Sequence, residues 1–145
     1  MAVESLEAML NRDSGLTALS NGKGDMRDLE AAADARDQKA ELAIEVFSIS
    51  IRKFVAAYAA VLGGLDMLVF TGGIGEHSAR VRSKVCRGLE FLGILIDESA
   101  NQSHRRTISR KGSKSQICVI PSQEDCQIAR HCRTLMNMDG CEALS

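Results

Sequence analysis

A long helical pattern from Gln38 to about Leu62 is the feature that most limits how this chain can fold. Two sets of apolar residues recur along it at helical spacing and merge into one broad side: Leu42, Val46, Ile49, Phe54 and Leu62, widened by Ala43, Phe47, Ile51, Val55 and Tyr58. Beyond Phe54 the pattern is rich in alanine and almost uniformly apolar, which predicts deep burial or an interface. The pair Gly63-Gly64 marks the end of the helix, because glycine readily adopts the left-handed backbone that closes helices.

A strand and a glycine-rich turn follow the long helix. The run Met67–Phe70, within "DMLVFTGG", is short, unbroken and apolar, which predicts a strand that is buried on both faces. The turn reads "TGGIGEHS" and ends at Ser78, a residue type that favours the N-cap of a helix. We therefore predict a further helix that runs from Ser78 to about Leu89.

The glycine turn has two explanations. Glycine tolerates a positive φ and lets a ligand approach the backbone, and the N–H groups at the start of a helix suit a nucleotide. The pattern nevertheless departs from the dinucleotide fingerprint G-x-G-x-x-G, because Ser78 stands at the sixth position counted from Gly73. It also lacks the Gly-Lys-Ser/Thr of a P-loop. By pattern alone, a tight structural turn is at least as well supported as a ligand site.

Shorter elements are predicted on both sides of this unit. They are helices at residues 5–10 and 28–34, strands at 93–97, near 107–109 and at 116–121, and a final helix at 123–135. Ile128 and Leu135 are expected to face inward on the final helix. Residues 11–28 are rich in Gly, Asn, Asp and Ser and are predicted to form a loop. This order of elements predicts an α/β or α+β fold with helices packed on a small sheet.

The charge balance argues against binding to polyanions. The chain has 145 residues, with 18 basic and 19 acidic side chains and a net charge of −1. Because nucleic-acid and anionic-membrane partners require a basic excess, neither is expected. No apolar run reaches the roughly 18 residues of a membrane span. The N-terminal "MAVESLEAML" lacks the basic leader of a secretory signal, so a cytoplasmic location is expected.

The cysteines favour reduced thiols. They are odd in number, and no pair has the C-x-x-C spacing: Cys86, Cys118, Cys126, Cys132 and Cys141. Cys126 and Cys132 could share a helix, but no His or Cys at ligand spacing completes a zinc set. Free thiols in a cytoplasmic protein are therefore expected rather than a disulfide framework or a zinc site.

Several polar stretches could carry chemistry, and each also has a structural explanation. "GDMRD", which contains Asp25 and Arg27, is by itself an ordinary solvated loop. Glu124 and Asp125 stand at a predicted helix start, where acids are favoured by the dipole or could bind Mg²⁺. The basic run at residues 104–114 reads as a solvated loop. The histidines are scattered and read as surface residues: His77, His104 and His131.

Four motifs together resemble the acetate kinase family. They are "GDMRDLE", "LVFTGGIGEHSARVR", "CRGLEFLGILID" and "VIPSQEDCQIAR", in the order and at the approximate separations of the C-terminal part of that family. The helix "KFVAAYAAVLGGLD" and the stretch "RDSGLTALS" are also similar to family segments. The resemblance covers residues 9 to 134 and so nearly the whole chain.

The resemblance implies a fold, an activity and cofactors. The fold would be the C-terminal half of an actin/hexokinase-like duplicated α/β domain, with a small mixed sheet flanked by helices. Residues 1–145 would form a single nucleotide-binding domain, and the N-terminal domain would be absent. Members of the family transfer the γ-phosphoryl group of ATP reversibly to acetate with Mg²⁺. ATP or ADP and Mg²⁺ are therefore the implied cofactors.

The resemblance also implies site residues. Those expected to line an adenosine pocket are Gly73, Ile74, Gly75, Glu76 and His77. Those that match an Asp-x-Arg nucleotide segment are Asp25, Met26 and Arg27. Glu124 matches a glutamate associated with Mg²⁺. The chain departs from the family where His77 replaces the usual Asn and where Asp125 replaces a second Glu.

The family's phosphate loops and its substrate-binding and transition-state arginines have no counterpart in this sequence. Since phosphoryl transfer depends on charge stabilisation around the γ-phosphoryl group, we expect this chain alone to have no kinase activity. It is interpreted as the C-terminal part of an acetate kinase, paired with a second copy or with an N-terminal kinase half. The alternative is a stand-alone, degenerate nucleotide-binding or dimerisation module. A plain α/β domain without a ligand would require all four motif matches to be accidental.

Overall fold

A computed structural model describes residues 3–142 of the chain. The α-helices in this range are α1 Val3–Arg12, α2 Gly15–Leu19, α3 Met26–Asp34, α4 Gln38–Leu62, α5 Gly72–His77, α6 Ala79–Cys86, α7 Glu98–Gln102 and α8 Glu124–Glu142. A single 3₁₀ turn covers Glu90–Leu92, and the strands are β1 Met67–Phe70 and β2 Gln116–Val119. Among the residues described, no helix combines the length and apolar character needed to cross a membrane.

The sheet is small and mixed, as predicted. β1 and β2 run parallel, with Met67 opposite Gln116 and Phe70 opposite Val119. On its other edge β2 forms an antiparallel bridge between Cys118 and Thr107. The strand predicted at residues 93–97 is reduced to one bridge between Ile96 and Ser109. Within residues 3–142, β2 is therefore paired along both edges, whereas β1 is paired along one.

The long helix α4 organises the core, and its predicted bounds are confirmed. Asp37 caps its start by accepting hydrogen bonds from the N–H groups of Lys39 and Ala40. Gly63 ends it in the left-handed conformation with a φ of 76°. Its inner side packs against α2, α3 and α6. The fully buried residues of that side are Ala40, Ala43, Ile44 and Ser48.

The deep burial predicted for the second half of α4 is wrong for this chain. Phe54 is 65% exposed and Val61 is 84% exposed, and Tyr58 and Leu62 are also exposed. These four residues are called the α4 apolar end below. The other predicted apolar residues Leu42, Val46 and Ile49 are partly exposed on the outer side. The helix has apolar residues on two sides, and the described part of the chain covers only one.

Two other burial predictions fail for the same reason. The sequence predicts that β1 is buried on both faces, but Met67 and Val69 are exposed and only Phe70 is buried. It also predicts that Ile128 and Leu135 face inward on α8, yet both are exposed. In each case, no element among residues 3–142 packs over the apolar side chain.

The region between the first helices is more regular than predicted. A loop is expected over residues 11–28, but α2 lies within them and α3 begins at Met26. The Asp25 carboxylate accepts the N–H of Arg27 and caps α3 earlier than expected. The predicted cap at Ser78 is confirmed, because its side chain accepts the N–H of Val81. Helix α6 then ends at Cys86, short of the predicted Leu89.

Candidate functional site

An open cleft lies between the start of α3 and helix α5. Its volume is about 550 Å³. The residues that line it are Gly24, Asp25, Met26, Arg27, Glu30, Gly73, Ile74, His77 and Ser78. Two segments that are distant in the sequence are brought together here because α3 and α6 both pack on the inner side of α4.

The α3 side of the cleft presents an ion pair. Arg27 Nη2 donates to Asp25 Oδ2 at 2.7 Å, and the Arg27 backbone N–H donates to Asp25 Oδ1 at 2.8 Å. The hydrogen bond from the Arg27 side chain is the main cause that lowers the pKa of Asp25 to about 2. Asp25 is therefore a carboxylate at neutral pH. Met26, between them, is buried and anchors α3 in the core.

The glycine turn continues as the short helix α5 rather than as a loop. Only Gly72 in this helix has a positive φ, of 73°. A Cβ on Gly75 would lie 3.3 Å from the backbone carbon of Phe70, a tight contact that favours glycine where α5 approaches β1. A Cβ on Gly73 would meet no atom within 4 Å. Gly73 therefore leaves open space on the side that lines the cleft.

The Glu76 carboxylate joins the start of α5 to the segment that follows β2. Its Oε1 accepts the N–H of Gly72 at 2.8 Å and the N–H of Ser122 at 2.7 Å. Both bonds lower the pKa of the Glu76 carboxyl from its ordinary value, and the bond from Ser122 has the larger effect. The Gly72 N–H at the start of α5 is thus already satisfied by Glu76. This N–H group is consequently not free for a nucleotide, although the sequence pattern suggests that it could be.

The residues predicted to bind the nucleotide divide into two groups. The cleft brings together Asp25, Met26, Arg27, Gly73, Ile74 and His77. Gly75 and Glu76 instead lie behind this wall, Gly75 against β1 and Glu76 on the backbone of Ser122.

Sequence reasoning also missed residues of the cleft. Glu30 lines it and accepts a hydrogen bond from the Ser78 hydroxyl. Ser78 is predicted only as a helix cap, and Glu30 ends the motif "GDMRDLE" but is given no role from the sequence. Its place follows from the packing of α3 beside α6, which no local motif encodes.

Glu124 is placed at the start of α8. It is exposed, and Ser122, two residues before it, is the residue bound to Glu76. Among residues 3–142, no group of three or more His, Cys, Asp or Glu side chains could hold a metal ion. Mg²⁺ commonly binds through one or two carboxylates together with phosphates and waters. One exposed carboxylate such as Glu124 can supply one ligand of this kind.

The four described cysteines are free, as expected. Cys86 and Cys118 are buried in the core, and Cys126 and Cys132 are exposed on α8. Burial raises the pKa of the Cys86 thiol to about 12. Cys86 is therefore a protonated, unreactive packing residue. Cys141 lies outside the residues whose side chains are described.

Comparison with known proteins decides the family. The model of the acetokinase family matches residues 1–130 of the chain. The chain belongs to the acetokinase family. An acetate kinase of Treponema denticola is 40% identical over 138 residues, which cover 94% of this chain and 35% of that protein. An acetate kinase of Clavibacter michiganensis subsp. michiganensis is 46% identical over 133 residues, covering 90% of this chain and 33% of that protein.

About a third of each of two solved kinase structures has the same fold as this chain. The crystal structure of Porphyromonas gingivalis acetate kinase matches with a TM-score of 0.83 and 36% identity, covering 94% of this chain and 35% of that chain. A propionate kinase from Francisella tularensis subsp. tularensis matches with a TM-score of 0.79 and 40% identity, covering 86% of this chain and 32% of that chain. The predicted α/β fold class is confirmed. The chain spans about a third of the length of the relatives that it matches.

Proposed function

We propose that this chain provides the nucleotide-binding wall of a phosphotransferase that moves a phosphoryl group between ATP and acetate. The observation that carries the proposal is the cleft between α3 and α5. Six of the residues expected at the nucleotide from sequence line this one cleft of about 550 Å³. Kinship with acetate kinases at 40–46% identity supports this choice of reaction.

The two sides of the cleft suit different parts of a nucleoside. Ile74 offers an apolar surface, and the open space at Gly73 lets a flat base approach the α5 backbone. His77 is exposed at the edge and offers a ring nitrogen to a hydroxyl or a base. Across the cleft, the Asp25 carboxylate accepts hydrogen bonds from ribose hydroxyls. We place the adenosine between these two sides.

The polypeptide of these 145 residues is proposed to be inactive by itself. Of the residues described as lining the cleft, Arg27 alone carries a permanent positive charge, and Asp25 already pairs with it. A transferring phosphoryl group needs several cationic or N–H groups placed around it. With a nucleotide bound, Glu124 would add one carboxylate toward Mg²⁺, which would neutralise phosphate charge. The acid substrate and the remaining charges would be bound by other segments of a complete kinase.

Calorimetric titration with MgADP tests the cleft. We expect saturable binding by the chain and a several-fold change in Kd for His77→Asn, the direction being tighter because Asn is the residue usual at this position in the family that the sequence resembles. His131→Asn is the matched control, since His131 is exposed on α8 and hydrogen-bonds to Gln127 outside the cleft. Equal affinities for His77→Asn and the unchanged chain would contradict a contact between His77 and the nucleotide. Absence of binding at millimolar MgADP would contradict the nucleotide role.

The partner is proposed to be the rest of an acetokinase-type kinase. Within residues 3–142, one edge of β1 is unpaired. Two side chains of β1 itself, Met67 and Val69, are exposed, and so is the α4 apolar end, which shortly precedes β1 in the sequence. An unpaired strand edge bordered by apolar side chains favours association. A segment that adds strands beside β1 would cover both features. The members of this surface would then be buried, as the sequence pattern predicts.

A second function, a stand-alone interaction module, is favoured by the same surface. Two copies of the chain could cover each other's α4 apolar end and form a homodimer. Co-expression with the N-terminal two-thirds of an acetate kinase, followed by light scattering, separates the two. A one-to-one complex with regained acetyl phosphate formation supports the kinase partner. A stable dimer that excludes the N-terminal segment supports the module. A cytoplasmic location is proposed for either form.

A further inference from the structure

Arg82 is the largest side chain among the fully buried residues of the described chain. It lies on α6, one turn after the Ser78 cap, and none of its surface reaches solvent. Burying a guanidinium is costly unless its donors are satisfied. The contacts of this side chain therefore indicate which part of the molecule requires its charge.

The donors of Arg82 converge on the end of α5. Nη1 donates to the carbonyl oxygens of both Gly75 and Glu76, each at 2.8 Å. These carbonyls belong to the last turn of α5, where helical oxygens lack partners within the helix. That end of a helix is also negative, so the guanidinium satisfies two oxygens and the helix dipole together.

The other donors of Arg82 fix the guanidinium to α7. Nε donates to Asn101 Oδ1 at 2.7 Å, and Nη2 donates to the Asn101 carbonyl at 3.0 Å. Nη2 also lies 3.2 Å from His104 Nδ1, which is itself 3.1 Å from the Glu76 carbonyl oxygen. Asn101 is itself fully buried and donates to the carbonyl of Ala79. The guanidinium is thus held in one plane by α7 while it binds α5.

Helix α5 is consequently held from outside by two contacts near its end. The Glu76 carboxylate, which also accepts the N–H of Gly72 within the helix, accepts the N–H of Ser122, and Arg82 binds the carbonyls of Gly75 and Glu76. A six-residue helix containing three glycines has little stability of its own. Its orientation must therefore be imposed by these contacts and by the approach of Gly75 to β1.

We propose that Arg82 is a positioning residue that fixes α5 and thereby presents Gly73, Ile74 and His77 to the cleft. It touches none of the space in the cleft itself. The positioning role itself follows from the contacts of Arg82. Only the statement that α5 forms a wall for a nucleotide rests on the proposed function. Lysine could not replace it, because a single ammonium cannot span two carbonyls and Asn101 in one plane.

Hydrogen exchange in the unchanged 145-residue chain is the first test. The amides of Glu76, His77 and Ser78 should exchange within about tenfold of the rate of the core amide of Val85, because α5 opens only when its clamp opens. Exchange of these amides near the rate of an unstructured chain would overturn the proposal. This measurement needs no variant and no nucleotide.

Arg82→Lys is the second test, with Arg87→Lys as the matched control. Arg87 lies at the end of the same helix α6 and is exposed. In Arg82→Lys the α5 amides should lose about tenfold more protection than Val85, and Kd for MgADP should rise about tenfold, as expected for lost charged hydrogen bonds. Arg87→Lys should change neither quantity.

Two results separate this inference from the proposed function. A folded Arg82→Lys chain whose α5 amides keep their protection relative to Val85 overturns the positioning role, whatever the nucleotide does. An unchanged chain that binds no MgADP overturns the nucleotide function, while the exchange pattern still decides the role of Arg82. If Arg82→Lys fails to fold, the exchange rates of the unchanged chain alone support or overturn the positioning role.

Discussion

Gly73 and Gly75 lie in the same short helix and are glycine for different reasons. Gly75 has little room for a Cβ, because the backbone of Phe70 is 3.3 Å from where it would lie. Gly73 has free space and no positive φ that would require glycine. The motif in the sequence makes the two look equivalent. Only the packing of α5 against β1 distinguishes a structural glycine from one that borders the cleft.

A pair of alanine substitutions tests this difference. Gly75→Ala should lower the free energy of unfolding by about 1–3 kcal/mol, because the methyl group meets backbone that cannot rotate away. Gly73→Ala should leave it within about 1 kcal/mol, since alanine is the better helix former. Urea denaturation of both variants measures this. Equal losses for the two would contradict the packing argument.

The charge on Asp25 predicts a pH dependence of stability. Its ordinary pKa of 3.8 is lowered to about 2 in the folded chain, so the folded state favours the carboxylate. This stabilisation is fully present above pH 3.8 and is lost as the pH falls toward 2. The effect is small and screened by salt, because Arg27 is largely solvent-exposed.

Asp25→Asn isolates that charge, because asparagine keeps the N-cap of α3. The difference in Tm between the unchanged chain and Asp25→Asn should be largest above about pH 4 and should shrink toward about pH 2. Thermal melts by circular dichroism across this range provide the measurement. Asp13→Asn is the control: Asp13 is an exposed acid just after α1, outside the cleft. A difference that does not vary with pH would exclude the ion pair as its cause.

Among the elements, helix α4 illustrates how periodicity predicts a helix but not its buried side. Its bounds and its end at Gly63 were predicted from local chemistry, and the structure adds the cap at Asp37. Its apolar residues cover two sides, so the pattern alone could not identify the one that faces α3 and α6. Ile44 is fully buried, whereas Ile49 on the outer side is 40% exposed.

Substitution of these two isoleucines separates the two sides of α4. Ile44→Ala should cost about 2–5 kcal/mol of unfolding free energy, because it leaves a cavity between α4 and its neighbours. Ile49→Ala should cost less than about 1 kcal/mol in the isolated chain, since little packing is lost there. Denaturant titrations of both variants provide the comparison. Similar costs would mean that the outer side is covered in solution, as in a dimer.

For the molecule as a whole, the exposed apolar residues distinguish this chain from a self-contained domain. The α4 apolar end, two residues of β1 and Ile128, Leu135 and Met136 of α8 would be interior positions in a larger assembly. The family relatives are about three times as long as the segment matched here. The same incompleteness applies to the cleft, which presents two sides of a site.

The activity of the isolated chain follows from this. A hydroxamate assay for acetyl phosphate, run with saturating ATP, Mg²⁺ and acetate, should detect no turnover by the 145 residues alone, because the charges that stabilise the transferring phosphoryl group are missing from the cleft. A full-length acetate kinase is the positive control. Turnover close to that of the control would contradict the proposal that other segments of a complete kinase supply these charges.

Local chemistry in the sequence is enough to predict most elements, because caps, helix-ending glycines and apolar periodicity act over a few residues. Gly63 and Ser78 both take the roles that this chemistry predicts. Family motifs also identify most of the residues that line the cleft. Tertiary packing alone decides which apolar sides are covered, that Glu76 and Gly75 lie behind the wall, and that Arg82 holds α5. These outcomes depend on which segments meet across long separations in the sequence, and the pattern within each segment does not encode that.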